Sequence, residues 1–432
     1  MFEVREKPDM VEKAMLVGFC FDKSEEPETQ LLLAELEELV DTLGIEIVGI
    51  ELVRVRDTNR GFICGTGKSE ELVELAKARG CDCIIFDNEV SPMQQRNWEE
   101  LADMTVLDRE EVILDIFAKR ARTKEARLQV SLARMQYALP RMARMWGHLD
   151  REGGGGGSGG GGASRGMGEQ QIEIDRRLAR KRISKLKSEL EDVRRQRATQ
   201  RKERQTNNIA TAAIVGYTNA GKSTLLNKLS GSDIMEADML FATLDPTTRR
   251  IELEDGQDLL LSDTVGFVRN LPHRLVESFK ATLEEAILAG FLIHVLDASS
   301  DEVVDHYLTT KKVLAELGAD EKRVLVVLNK VDRVEDPSIL TGLRAEFPGA
   351  FEASAITGAG LAALTDRFTD LLADRVKKLT YRVPQSRGDI SGLIHREGKV
   401  LETDYDGNDI LLTAIVPKNL EGQLAEFLSE SA

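Results

Sequence analysis

At 432 residues, with 42% hydrophobic side chains and 31% charged ones, the chain has the make-up of a large soluble protein of several domains, not of a disordered or fibrous one. No run of about 18 apolar residues occurs, and the start, Met1-Phe2-Glu3-Val4-Arg5-Glu6-Lys7, lacks the apolar region of a secretory signal. A cytoplasmic protein without a transmembrane segment is therefore expected. The net charge of −16 hides a segregation: residues 119–204 carry 23 Lys and Arg against 10 Asp and Glu, or +13, which leaves −29 for the remainder.

Over residues 1–110, apolar runs at 16–19, 47–53, 83–86 and 105–107 alternate with amphipathic stretches at 28–43, 69–79 and 92–102, the pattern of a small α/β domain. Gly65-Thr66-Gly67-Lys68-Ser69 imitates a phosphate-binding loop, but its required leading glycine falls at Phe62. It reads instead as a helix start capped by Ser69. Cys20, Cys64, Cys81 and Cys83 read as reduced core thiols, because Cys81-Asp82-Cys83 leads into a strand and no second pair or flanking histidine completes a zinc site.

Residues 111–208 hold the positive charge. Between 176 and 204, 13 basic residues face 4 acidic ones, while Ala179, Ile183, Leu186, Leu190 and Val193 step by four, three, four and three. That spacing is the seam of a long amphipathic helix. Leu128, Leu132, Met135 and Leu139 repeat it ahead of Pro140, so two long helices can pair as an antiparallel hairpin with a basic exterior. Such a surface is either a solvated coiled-coil face or a binder of phosphates. The glycine-rich stretch at about 151–170 reads as a flexible loop at the hairpin's tip, with Arg165 in it.

Residues 209–376 open on the apolar run Ala212-Ala213-Ile214-Val215, then Gly216-Tyr217-Thr218-Asn219-Ala220-Gly221-Lys222-Ser223, then Thr224-Leu225-Leu226. Strand, glycine-rich loop and helix in that order make a nucleotide phosphate cradle: backbone N–H groups turn inward, Lys222 reaches the β and γ oxygens, and the Ser223 hydroxyl ligates Mg²⁺. Downstream, Asp263-Thr264-Val265-Gly266 offers a carboxylate for Mg²⁺ and a Gly266 N–H for the γ-phosphate. Phe241-Ala242-Thr243-Leu244-Asp245 offers Thr243 as a second Mg²⁺ hydroxyl. Asn329-Lys330-Val331-Asp332 follows the buried-strand run Val324-Leu325-Val326-Val327-Leu328, at the strand's carboxyl end where such sheets bind ligands. There the Asp332 carboxylate can accept from the guanine N1–H and 2-amino group, donors that adenine lacks, and a mismatch would leave it unpaired. Ser354-Ala355 would face the guanine O6. The substrate expected is therefore GTP, and the product GDP.

These strings resemble the translation-factor-related class of Ras-like P-loop GTPases, in which the sheet is mostly parallel. The residue after Gly266 is Phe267, where Ras-like enzymes carry a water-orienting glutamine, so another group must complete catalysis alongside Lys222, Thr243 and Gly266. Asn219 admits two readings: it stabilises the loop by hydrogen bonding, or it helps to coordinate K⁺, as an asparagine there does in GTPases with a hydrophobic residue at the glutamine position. Residues 377–432, with strands at 379–384, 400–403 and 410–415 and helices at 388–395 and 420–429, make a small C-terminal α+β domain.

Four strings carry a closer likeness: Ser91-Pro92-Met93-Gln94-Gln95-Arg96-Asn97, Ile113-Leu114-Asp115-Ile116-Phe117-Ala118-Lys119-Arg120-Ala121, Phe241-Ala242-Thr243-Leu244-Asp245-Pro246-Thr247-Thr248-Arg249, and Asp263-Thr264-Val265-Gly266-Phe267. From about Leu16 to its end the chain resembles the HflX family of ribosome-associated GTPases. The resemblance implies a monomer that binds the large ribosomal subunit and its RNA, points the hairpin toward the peptidyl transferase centre, and in its GTP form separates stalled or idle ribosomes. The family's tip usually reads GGxGxxGPGET, whereas this chain has a longer glycine tract followed by Gly166-Met167-Gly168-Glu169-Gln170. Three alternatives stand beside it: a GTPase of large-subunit assembly, an ATP-dependent ribosomal RNA remodelling enzyme using the N-terminal domain, and a non-enzymatic RNA-binding scaffold in which the nucleotide is structural.

Overall fold

The computed structural model describes residues 11–145, 163–206, 209–232, 240–254, 256–272, 283, 285–373 and 376–429. The chain forms two compact units, one of residues 1–193, 239–244 and 269–280, the other of 194–238, 245–268 and 281–432. Among the described residues no helix is long and apolar enough to cross a membrane.

In the first unit, β1 (Lys13–Cys20), β2 (Glu46–Arg54), β3 (Cys83–Phe86) and β4 (Thr105–Asp108) pair in the order β2-β1-β3-β4, every pair parallel. Parallel neighbours need crossovers, supplied by α1 (Glu26–Leu43), α2 (Thr66–Ala78) and α3 (Pro92–Ala102). Met15, Val17, Phe19, Ile84, Phe86 and Trp98 lie in the core, and all four cysteines are buried. The expected helix start at 65–69 is present, but Ser69 is not its cap. Gly65 is, and its carbonyl accepts from the N–H groups of Lys68 and Ser69 at 3.0 Å. Ser69 therefore lies inside the first turn, where its hydroxyl donates to the Thr66 carbonyl at 2.7 Å.

Next come α4 (Arg109–Arg120), α5 (Lys124–Met145), with Pro140 inside it, and α6 (Ala163–Thr206). The predicted seam exists: Leu132, Leu186 and Leu190 are buried together, with Leu128, Met135 and Ile183 packed against them. Side chains of α5 also reach the sheet domain. Arg134 pairs with Asp115, the Tyr137 hydroxyl donates to Glu111 at 3.1 Å, and Arg141 meets Asp108 at 3.2 Å and the Gln95 amide oxygen at 2.9 Å. Of the expected tip loop, residues 151–162 lie outside the described residues. Residues 163–170 are not loop but the first turns of α6. Extending an existing helix adds a bond per residue fixed, so the two glycines there cost only about 1 kcal/mol each.

The second unit holds a six-stranded sheet of β5 (Ala210–Gly216), β6 (Thr247–Glu252), β7 (Asp258–Asp263), β8 (Phe291–Asp297), β9 (Val324–Asn329) and β10 (Phe351–Glu352). Its order is β10-β9-β8-β5-β7-β6, parallel except for β6 against β7. Helices α7 (Lys222–Leu229), α8 (Val303–Glu316), α9 (Pro337–Glu346) and α10 (Leu361–Leu372) accompany it. A separate antiparallel sheet, β11 (Val376–Pro384), β13 (Asp409–Pro417) and β12 (Lys399–Asp406) in that order, carries α11 (Gly388–Glu397). The expected last helix at 420–429 is broken: α12 spans only Glu421–Leu424, between single 3₁₀ turns. Gly422 weakens the helix, and the chain turns back so that Ser429 N–H donates to the Thr380 carbonyl at 2.9 Å. The β6–β7 turn meets this sheet: Lys399 pairs with Glu252 at 2.6 Å, and a Cβ on Gly256 would lie 3.0 Å from Ile415 Cδ1.

Candidate active site

β5 lies between β7 and β8, so connections leaving its carboxyl end diverge to opposite sides and open a crevice there, the usual ligand position of such a sheet. The loop 216–223 fills that end and runs into α7. Gly221 stands at φ +86, and a Cβ on it would lie 2.3 Å from the side-chain nitrogen of Asn329, so only glycine fits. The Asn329 amide is almost wholly buried and bridges two loops: Nδ2 donates to the Ala220 carbonyl at 2.9 Å, and Oδ1 accepts from the Ala355 N–H at 3.0 Å. One side chain thus fixes the cradle against the 354–355 loop. Lys330, at φ +62, pairs with Asp297 at 2.7 Å. Asp332 is exposed in the 3₁₀ turn Val331–Arg333, while Ser354 is buried and its hydroxyl accepts from the Thr357 N–H at 3.1 Å.

On the phosphate side, Lys222 is buried, with its ammonium donating to the Tyr217 carbonyl at 2.7 Å. The Ser223 hydroxyl donates to Asp263 Oδ2 at 2.5 Å, joining the first turn of α7 to the end of β7. Thr264 donates its hydroxyl to the Ile214 carbonyl at 2.7 Å, which fixes the start of the 263–266 turn on β5. Beyond it, Phe267 N–H donates to the Gly216 carbonyl at 3.2 Å and Thr218 N–H to the Phe267 carbonyl at 2.8 Å, and Phe267 itself is buried. A Cβ on Gly266 would lie 2.8 Å from Thr218 Cγ2 and 3.0 Å from Lys222 Nζ. Asn219 is exposed at φ +59, Ala220 is buried, and Thr224 is exposed on α7.

These contacts bring Tyr217, Lys222, Ser223, Asp263, Gly266, Asn329 and Ala355 into one site in the second unit, from segments more than a hundred residues apart. Phe241, Ala242, Thr243 and Leu244 belong to the first unit, where Phe241 meets Phe117 edge-on with ring centroids 4.7 Å apart. Asp245 belongs to the second.

The sequence reading missed three groups. Asp297, the partner of Lys330, carried one signal: it ends the strand run Phe291–Asp297. His306 stacks on the cradle's Tyr217 with centroids 3.8 Å apart and 15° between planes, and no local pattern marks it. His294 is buried inside β8, its ring 5.0 Å from that of Tyr307, and its Nε2 has no hydrogen-bond partner among the described residues. Burial pushes its pKa down to about 3, and the nearby Lys222 charge adds to the effect.

Three family models match the chain: "GTP-binding GTPase N-terminal" over residues 30–118, "GTP-binding GTPase Middle Region" over 120–204, and "50S ribosome-binding GTPase" over 211–330. A GTPase HflX of Akkermansia muciniphila is 58% identical over 436 residues, covering 100% of both chains. A GTPase HflX of Escherichia coli is 42% identical, covering 88% of this chain and 87% of that protein. Among solved structures, a GTP-binding protein of Sulfolobus solfataricus in complex with GDP aligns at 25% identity and a TM-score of 0.42, covering 84% of this chain and 99% of the other.

Proposed function

The chain belongs to the HflX family of GTPases and is a GTP hydrolase; from that premise we propose that it binds the large ribosomal subunit in its GTP state, separates the subunits of stalled or idle ribosomes, and lets go on hydrolysis. The observation that carries the ribosomal half is on α6, where Arg177, Arg180, Lys181, Arg182, Lys185 and Lys187 all stand exposed along one basic stretch of the helix that buries Leu186 and Leu190. A row of cations on a rigid rod suits a phosphate backbone.

At the nucleotide, the backbone N–H groups of 216–223 cradle the phosphates and Lys222 faces the β and γ oxygens. Asp332 accepts from the guanine edge, and the 354–355 loop faces its O6. Ser223 and Asp263 already converge as a hydroxyl and a carboxylate oxygen 2.5 Å apart, hard oxygen donors of the kind Mg²⁺ takes. When bound, Mg²⁺ neutralises charge developing on the phosphate oxygens. Asn219, exposed at φ +59 in the cradle loop, is the residue that would help to hold K⁺. The difference in ribosome affinity between nucleotide states supplies the switch.

Sedimentation of the full chain with ribosomes, in GDP and in a nonhydrolysable GTP analogue, tests the reading. Retention should rise in the analogue, fall steeply with salt, and be accompanied by 70S dissociation into subunits. Equal retention in both nucleotides would overturn it. Retention without dissociation would move the chain to subunit assembly.

A further inference from the structure

We propose that Thr218 is a catalytic residue of GTP hydrolysis, its hydroxyl donating a hydrogen bond to the γ-phosphoryl group and taking over part of the work that a glutamine after Gly266 does in other GTPases. The inference rests on the reading of this site as a GTP hydrolase. The need for such a group comes from Phe267, whose side chain is buried and has no polar atom, and whose backbone N–H and carbonyl are both committed to the cradle strand.

Thr218 stands where the γ-phosphate must come. Lys222 is the residue that reaches the β and γ oxygens, and the Cβ direction of Gly266 points to both Lys222 Nζ, at 3.0 Å, and Thr218 Cγ2, at 2.8 Å. The threonine therefore flanks the same small space as the lysine. Its methyl is turned to Gly266, and a β-branched side chain with its methyl so placed has little freedom left at χ1. The backbone N–H of Thr218 is already given to the Phe267 carbonyl at 2.8 Å, so the hydroxyl is the residue's remaining donor.

That hydroxyl is buried and has no hydrogen-bond partner among the described residues, whereas other hydroxyls of the site are satisfied: Thr264 on Ile214, Ser223 on Asp263, Ser354 by Thr357. A buried, unpaired hydroxyl beside a phosphate cradle is costly unless a ligand completes it. In hydrolysis, the oxygen of water bonds to the γ-phosphorus as the bond from that phosphorus to the β–γ bridging oxygen breaks. The electron pair leaves on GDP, and the water's proton passes to the released phosphate. Thr218 gains and loses nothing in the balance; it holds a γ-oxygen on which negative charge is redistributed.

The test compares Thr218→Val, which keeps the shape and loses the hydroxyl, with Thr218→Ser, which keeps the hydroxyl and loses the methyl. Single-turnover GTP hydrolysis, GDP affinity by a fluorescent analogue and thermal unfolding are measured on the full chain. The valine variant should hydrolyse roughly 10- to 100-fold more slowly, the range expected for a hydrogen bond to a charged group. Its GDP affinity and unfolding temperature should stay near those of the wild type, and the serine variant should stay within about threefold of the wild-type rate. A valine variant at the wild-type rate overturns the assignment, as does one whose GDP affinity falls in step with its rate. So does a serine variant as slow as the valine, since that would mean the methyl on Gly266 is what matters. Failure of the wild-type chain to hydrolyse GTP would instead sink the underlying reading of the site.

Discussion

Replacing Gly221 by alanine should disable the site through Asn329, and the two residues should be energetically inseparable. A non-glycine residue at φ +86 costs about 1–2 kcal/mol by itself. The new methyl would also lie 2.3 Å from Asn329 Nδ2, so the amide must move. It is held at 2.9 Å on Ala220 and 3.0 Å on Ala355, and either bond lost leaves a buried group unpaired at about 1–3 kcal/mol. Together these give roughly 3 kcal/mol or more, enough to cut the populated cradle geometry by over a hundredfold. In an Asn329→Ala background the collision disappears and only the backbone strain remains, so Gly221→Ala should then cost about 1–2 kcal/mol. A double-mutant cycle on GDP affinity, with denaturant unfolding as a parallel readout, measures the coupling. Additive effects within about 0.5 kcal/mol would refute the bridging role given to Asn329.

Three further outcomes are expected. His294 titrates at about 3 when folded and near 6.5 when unfolded, so the unfolded chain alone takes up the proton between these values, and stability, full above about pH 6.5, falls as pH drops toward 3. By pH 5 the loss is about 2 kcal/mol, and His294→Leu should flatten this part of a stability–pH curve; an unchanged acid slope would remove His294 from the account. Asp332→Asn should turn base preference from guanine toward xanthine nucleotides in a competition assay, because the carboxamide presents a donor where the carboxylate only accepts, and unaltered selectivity would count against the guanine contact. Exchanging potassium for sodium should slow single-turnover hydrolysis if Asn219 holds the cation, and equal rates in the two salts would leave it no such role.

The local elements were legible because they depend on near neighbours. Val324-Leu325-Val326-Val327-Leu328 reads as a buried strand from its side chains alone, and 216–223 reads as a cradle because glycine spacing, lysine and serine act within one turn of chain. The misreadings were local too, at points where several outcomes were close in energy. The helix at 66–78 was capped by Gly65 rather than Ser69, helix displaced loop at 163–170, and the last helix broke around Gly422. In each, a glycine's backbone freedom or a neighbouring helix's momentum shifted the boundary by a few residues.

What the sequence determined by itself was therefore the set of chemical parts and their order: cradle, Asp263 turn, base reader, basic helices. Which parts touch was decided by the tertiary structure, because such contacts join residues whose separation along the chain carries no spacing rule. Asn329 reaches Ala220 across 109 positions, His306 lies against Tyr217, and Thr218 Oγ1 is left without a partner among the described residues while the hydroxyls of Thr264 and Ser223 have one. Burial and pairing are properties of the packed sheet and its loops, and they come into being only when strands distant in sequence are brought side by side.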